Sequence, residues 1–162
     1  MPDQPTGEEP AARPSRRPSL PDSATTGPSS PARGTGLRGE RLAALHLERR
    51  GFTILARNVR TRAGEIDLVA FDGATIAFVE VKTTRLASAT GDATARRRIA
   101  LERALERVQP AQRRRLRGLA LDWLRSRPQS RPRGTELRFD AIGVVIDRGG
   151  ELLALEHLED AW

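Results

Sequence analysis

The stretch at residues 64–82, GEIDLVAFDGATIAFVEVK, leaves the least freedom to the rest of the chain. Residues 68–71 are apolar enough for a buried strand, residues 75–81 are rich in β-branched and aromatic side chains, and Asp72-Gly73 between them is a strong hairpin signal. Opposed residues of antiparallel strands share a side, and side chains repeat every second residue. A two-residue loop would set Asp67 opposite Phe78, and a four-residue loop would set it opposite Glu80. Either even length places Glu65, Asp67, Glu80 and Lys82 on one face, which Val69, Phe71 and Phe78 continue toward the tip. Ile66, Leu68, Val79 and Val81 are then the core set on the other face.

Charges embedded in such strands need a reason. A salt-bridged, solvated sheet face would be the ordinary one, but the apolar neighbours argue against it. Hard cations such as Mg²⁺ keep several waters and are satisfied by one or two carboxylates and a carbonyl when phosphate completes the shell. Asp67, Glu80 and the carbonyl of Val81 fit that description for Mg²⁺ or Mn²⁺. Lys82 is the only lysine in the chain, every other basic side chain being arginine. An ammonium can orient or help deprotonate a water, whereas a guanidinium cannot take the proton.

Composition sets the context. The 162 residues suffice for one domain and a tail. Residues 1–36, rich in Pro, Ser and Gly and without apolar periodicity, are expected to be disordered, leaving residues 37–162 as the domain. Absence of a secretory signal and of any run near the ~20 apolar residues of a membrane span predicts a soluble, cytoplasmic protein with no membrane partner. Lack of cysteine excludes disulfides and thiolate zinc sites, and His46 and His157 have no spacing that implies a shared metal. The net charge of +7 falls outside the tail, whose arginines and acids balance, so the domain is drawn to polyanions, nucleic acid above all.

In chain order, residues 34–39 (GTGLRG) match a dinucleotide-binding glycine pattern, but no strand precedes them, and they are read as ending the tail and starting a helix. Leu37, Ala43, Ala44 and Leu47 form its apolar stripe and Gly51 stops it. Glu40 on that stripe either caps the first turn or points at a site. Residues 52–57 read as a strand and 58–63 as a polar connection. After the hairpin, residues 83–94 read as a flexible loop. Two helices follow, with stripes Leu101, Leu105, Val108 and Leu116, Leu119, Ala120, Trp123, broken at Pro110. Their outer faces carry Arg96, Arg97, Arg98, Arg107, Arg113, Arg114, Arg115 and Arg117, with few acids to balance them, which fits contact with phosphates. A last hairpin pairs residues 136–146 with 151–155. Its Asp140 is either a further acid near the site or an arginine's partner. A glycosidase with paired carboxylates would explain neither the lysine nor the basic helices.

GEID followed by a short hairpin and FVEVK resembles the PD-(D/E)xK nuclease signature, and more closely the YraN-like family of small bacterial proteins, which is similar to archaeal Holliday junction resolvases. The opening GLRGERLAALHLERRGFTILARNVR, the later RFDAIGV and the closing LEHLEDAW extend the resemblance over nearly everything after the tail. It implies an α/β, restriction-endonuclease-like three-layer core with a mixed sheet flanked by helices. It also implies Glu40 as a helix-borne acid, Asp67 and Glu80 as metal ligands, and Lys82 as the catalytic lysine. Gln112-Arg113 stand where the family usually has Lys followed by Gln or a basic residue, and Gln112 is assigned with Glu40 to the support of the site. The expected function is metal-dependent cleavage of DNA, branched or otherwise structured, with a nucleic-acid-binding accessory role as the alternative. A homodimer is a further expectation, since related nucleases often cut two strands.

Overall fold

A computed structural model of the chain describes residues 31–86, 92–106, 110–127, 132 and 136–162. Helix α1 (Pro31–Arg49) is followed by β1 (Thr53–Thr61), β2 (Gly64–Phe71), β3 (Thr75–Arg85), α2 (Ala93–Glu106), α3 (Pro110–Ser126), β4 (Glu136–Ile146) and β5 (Leu152–Leu158). The strands form one sheet in sequence order, antiparallel except for the parallel pair β3–β4. This is the mixed α/β sheet that was expected, with helices on both faces.

The sheet divides the core in two. Leu68, Ala70, Ala77, Val79, Val81, Ile142 and Val144 pack on Ala43, Ala44 and Leu47 of α1. Ile66, Val69, Ile76 and Phe78 pack on Leu116, Leu119, Ala120 and Trp123 of α3, where Phe78 meets Trp123 edge-on and stacks on Phe139, with centroids 5.8 and 5.7 Å away. Helix α2 covers the same face as α3, since Gly143, the β4 partner of Lys82, lies under Leu101 and Leu105. Each fully buried Leu, Ile or Phe stabilises by ~1.5–3 kcal/mol, so two apolar layers carry most of the fold.

Several boundaries differ from the sequence reading. Helix α1 starts six residues before Leu37, because Pro31 suits a first helical position, where its missing N–H costs nothing. The glycines at 34 and 36 therefore lie inside the helix instead of ahead of it. Residues 1–30 of the expected tail lie outside the described residues. Strand β1 continues to Thr61, through most of the expected polar connection, and β3 continues to Arg85, into the expected loop. Val108 and Arg107 lie outside the described residues. Among the described residues no helix is long and apolar enough to cross a membrane.

Candidate active site

The β2–β3 hairpin closes with Phe71 opposite Ile76. That is the four-residue alternative, braced by Asp72, whose Oδ1 accepts the backbone N–H groups of Ala74 and Thr75 at 2.9 and 2.7 Å. Pairing runs back from the tip to Leu68 opposite Val79. One step further, Asp67 stands opposite Glu80, and there the ladder stops. The Asp67 carboxylate reaches across and accepts the backbone N–H of Val81 at 2.7 Å. On the other side of β2, pairing with β1 passes from Leu68–Arg57 to Ile66–Val59 and skips Asp67 opposite Asn58, whose φ of +49° is left-handed.

This break corrects part of the parity expectation. Ile66 packs in the α3 layer with Val69 and Phe78, whereas Leu68, Val79 and Val81 pack in the α1 layer. Alternation is lost at the residue that leaves the ladder. Glu65 changes sides with it, is half exposed and pairs with Arg60 at 3.5 Å, so it does not join the charged cluster.

The cluster itself is compact. Oε1 of Glu80 accepts both the Lys82 ammonium and the Gln112 amide, each at 2.6 Å; Oε2 receives neither. Asp67 and Glu80 are 8% and 7% exposed, while Lys82 keeps a fifth of its side chain in solvent. Burial first, and the Glu80 carboxylate second, push the Asp67 carboxyl up to about 7, Glu40 adding to the repulsion. Glu40 therefore faces the site. It lies in the third turn of α1, too far in to cap it, and lines a cleft of about 210 Å³ with Leu37, Arg41, Arg57, Asn58 and Leu68. Gly39 sets this position: a Cβ there would collide with the Thr83 side chain on β3, so its absence lets α1 settle onto the strand that carries Glu80 and Lys82.

Among the described residues no three His, Cys, Asp or Glu side chains are grouped to hold a metal ion. The donors that do converge are two carboxylates and a main-chain group. A strand residue directs its N–H and C=O toward the same neighbour, so the carbonyl of Val81 faces the opening that its N–H enters. Two carboxylates whose burial, and then mutual repulsion, make one hold a proton near neutral pH are a donor set that a hard divalent cation suits, since it replaces the proton with more charge.

Asp140 takes the second of its two expected roles. It is fully buried on β4, gripped by Arg138 at 2.9 and 3.0 Å, and held by His157 Nε2 at 2.9 Å and the N–H of Asp160 at 3.0 Å. The Arg50 guanidinium, which can only donate, lies 3.1 Å from His157 Nδ1, so Nε2 carries the proton given to Asp140. Burial pushes Asp140 up, yet the bonds from His157, Arg138 and Asp160 outweigh it and hold the carboxyl below its ordinary range. Asp140 pairs with Val79 of the α1 layer, away from Glu80 and Lys82. His46 and His157 do meet, ring edge to face at 5.5 Å.

Of the arginines read as phosphate contacts, Arg97, Arg98, Arg114 and Arg117 are exposed, Arg98 paired with Glu102 at 3.4 Å. The guanidiniums of Arg113 and Arg117 lie over Trp162 and Phe139 at 5.6 and 5.8 Å; Arg96 is half buried. Sequence reasoning missed Asn58 and Arg41 in the cleft. The only signal was that Asn tolerates a left-handed backbone better than its neighbours do.

The family described as "Uncharacterised protein family UPF0102" matches residues 39–144, from the glycine beside Glu40 to β4. The chain belongs to this family. UPF0102 is the YraN-like group that the sequence resembles, and the match takes in Glu40, Asp67, Glu80, Lys82 and Gln112. Curated UPF0102 relatives are similar over most of their length. That of Acidothermus cellulolyticus is 40% identical over 126 residues, 74% of this chain and 86% of its own. Those of Rhodococcus opacus and Chloroflexus aurantiacus are 37% and 39% identical, covering 78% and 80% of this chain and 94% and 92% of theirs.

Proposed function

We propose that this UPF0102 protein is a Mg²⁺- or Mn²⁺-dependent endonuclease that hydrolyses phosphodiester bonds in DNA, branched or otherwise structured DNA being the substrate class. The observation that carries this reading is the convergence on Glu80, where a lysine and a glutamine meet one carboxylate oxygen at 2.6 Å beside an acid that holds its proton to about pH 7. Packing does not call for such a group, and phosphoryl chemistry does. Asp67, Glu80 and the Val81 carbonyl would hold the cation, which when bound supplies a Lewis acid for phosphate oxygens. Gln112 and Lys82 hold Glu80 by Oε1, which would leave Oε2 for the cation. Lys82, partly solvated, orients the attacking water or steadies charge on the phosphate, and Glu40 borders the cleft by which water enters. Water adds to phosphorus in line as the bond to the leaving sugar oxygen breaks.

The test incubates the protein with single-stranded, nicked, flap and four-way-junction DNA and Mg²⁺ or Mn²⁺, beside Asp67→Ala and Lys82→Ala. Cleavage abolished in both variants with binding retained supports the enzyme. Binding without cleavage of any substrate would replace it with a nucleic-acid-binding accessory role.

A further inference from the structure

We infer that the turn joining β1 to β2, together with Arg115 of α3, forms a phosphate-binding arm that grips a DNA strand beside the carboxylate site; this rests on the nuclease reading above. Arg60, Thr61, Gly64, Glu65 and Arg115 line an open cleft of about 230 Å³, and Arg62, next to Thr61 on the same turn, is exposed. The guanidinium of Arg115 lies flat against the main chain of Gly64, so closely that a Cβ at residue 64 would run into its Nη2, Nε and Cζ atoms. Gly64 also has a φ of +143° that a side chain would strain.

Arg115 is thus placed by packing on a glycine and not by a carboxylate. Among the described residues neither it nor Arg62 has a hydrogen-bond or ion-pair partner. Glu65 offsets only Arg60, in an exposed pair at 3.5 Å that water screens. The turn is braced as well: the Thr61 hydroxyl accepts the N–H of Ala63 at 3.1 Å and donates to the carbonyl of Gly64 at 3.3 Å. A placed guanidinium on α3 and an exposed, uncompensated one on the braced turn beside it offer the paired donors that phosphate oxygens match.

Position selects the anion. Arg115 is three residues, ~4.5 Å of rise, beyond Gln112, which touches Glu80. Gly64 is three residues before Asp67, roughly 10 Å along the strand. The ~3.4 Å per phosphate of a DNA strand is its rise along the helix axis, and successive phosphates lie farther apart along the backbone than that, so the arm meets a phosphate close in sequence to the one at the carboxylates. A single phosphate cannot occupy both points, whereas successive phosphates of one strand can.

The experiment measures binding of labelled duplex and four-way-junction DNA to the full chain by fluorescence anisotropy, in EDTA so that nothing is cut, over a series of NaCl concentrations. The double variant Arg62→Gln/Arg115→Gln should bind about tenfold or more weakly at ~0.15 M salt, and its plot of log K against log [NaCl] should be shallower by about two. Gly64→Ala, which removes no charge but displaces Arg115, should weaken binding as Arg115→Gln does, and Arg148→Gln on the β4–β5 turn should change neither quantity. Wild-type affinity and slope in the double variant overturn the arm alone and leave the nuclease reading standing. Failure of the wild-type protein to bind any of these DNAs overturns both.

Discussion

Oδ2 of Asp67 accepts the backbone N–H of Val81 at 2.7 Å, so a side chain occupies the place in the β2–β3 ladder where main chain would otherwise be. The exchange keeps the N–H satisfied, opens the sheet beside Glu80, and brings two acids together where water is scarce. Opening, burial and repulsion therefore share one origin, and substitutions should separate them.

Asp67 gives a pH signature. Its carboxyl is pushed up from 3.8 to about 7, above its value in the unfolded chain, so the stabilisation it lends is complete below about pH 4 and is lost as pH rises through about 7. In EDTA, the unfolding free energy from urea titrations should fall over that window by on the order of 2–4 kcal/mol more in the wild type than in Asp67→Asn. Mg²⁺ should restore the loss at the alkaline end. Parallel pH curves for the two proteins would mean that Asp67 titrates as an ordinary carboxyl and that Glu80 does not repel it.

Gly39→Ala tests the seat of α1. The new methyl must displace Thr83, and overpacking of this kind costs about 1–3 kcal/mol. Thr83→Ala in the same chain should return part of it in urea unfolding, and additive losses would show that the two residues do not compete for space.

Asp140→Asn should be costly by a different route. It removes one of the two carboxylates that hold Arg138, Glu159 being the other, so the cost should fall below the ~3–5 kcal/mol of a buried charge left with no partner. Because the native carboxyl is held below its ordinary range, the stability it lends is present above that range and disappears as pH falls through the lowered value. Asp140→Asn should therefore unfold with a weaker acid dependence than wild type, without altered DNA affinity.

Lys82→Arg separates charge from proton chemistry. Under the nuclease reading it should keep DNA binding and still lose about 10²-fold or more in cleavage rate, as Lys82→Met should, because a guanidinium stays protonated and cannot take part in proton transfer. Wild-type cleavage by Lys82→Arg would reduce the lysine to a counter-ion.

The hairpin was legible because its determinants are local: Asp-Gly at the tip, alternation along the strands, and one lysine among many arginines. Ile66 was misplaced because the loss of alternation comes from Asp67 bonding to Val81, fourteen residues away, and from the left-handed Asn58 on the neighbouring strand; periodicity sees neither. The start of α1 was set too late because Gly34 and Gly36 weigh as breakers at ~1 kcal/mol each, yet the helix runs through both from Pro31. That Asp140 would pair with an arginine could be foreseen from Arg138 two residues away, but His157 arrives from the next strand.

Strand β3 holds Glu80 and Lys82 between an antiparallel neighbour that precedes it and a parallel one that follows two helices later. On the ribosome, the residues read as catalytic emerge long before the strand that closes their second edge. The charged cluster can be drawn tight only when synthesis is nearly complete, so a chain interrupted before β4 would carry every residue of the proposed catalytic set and still lack the framework that makes them act together.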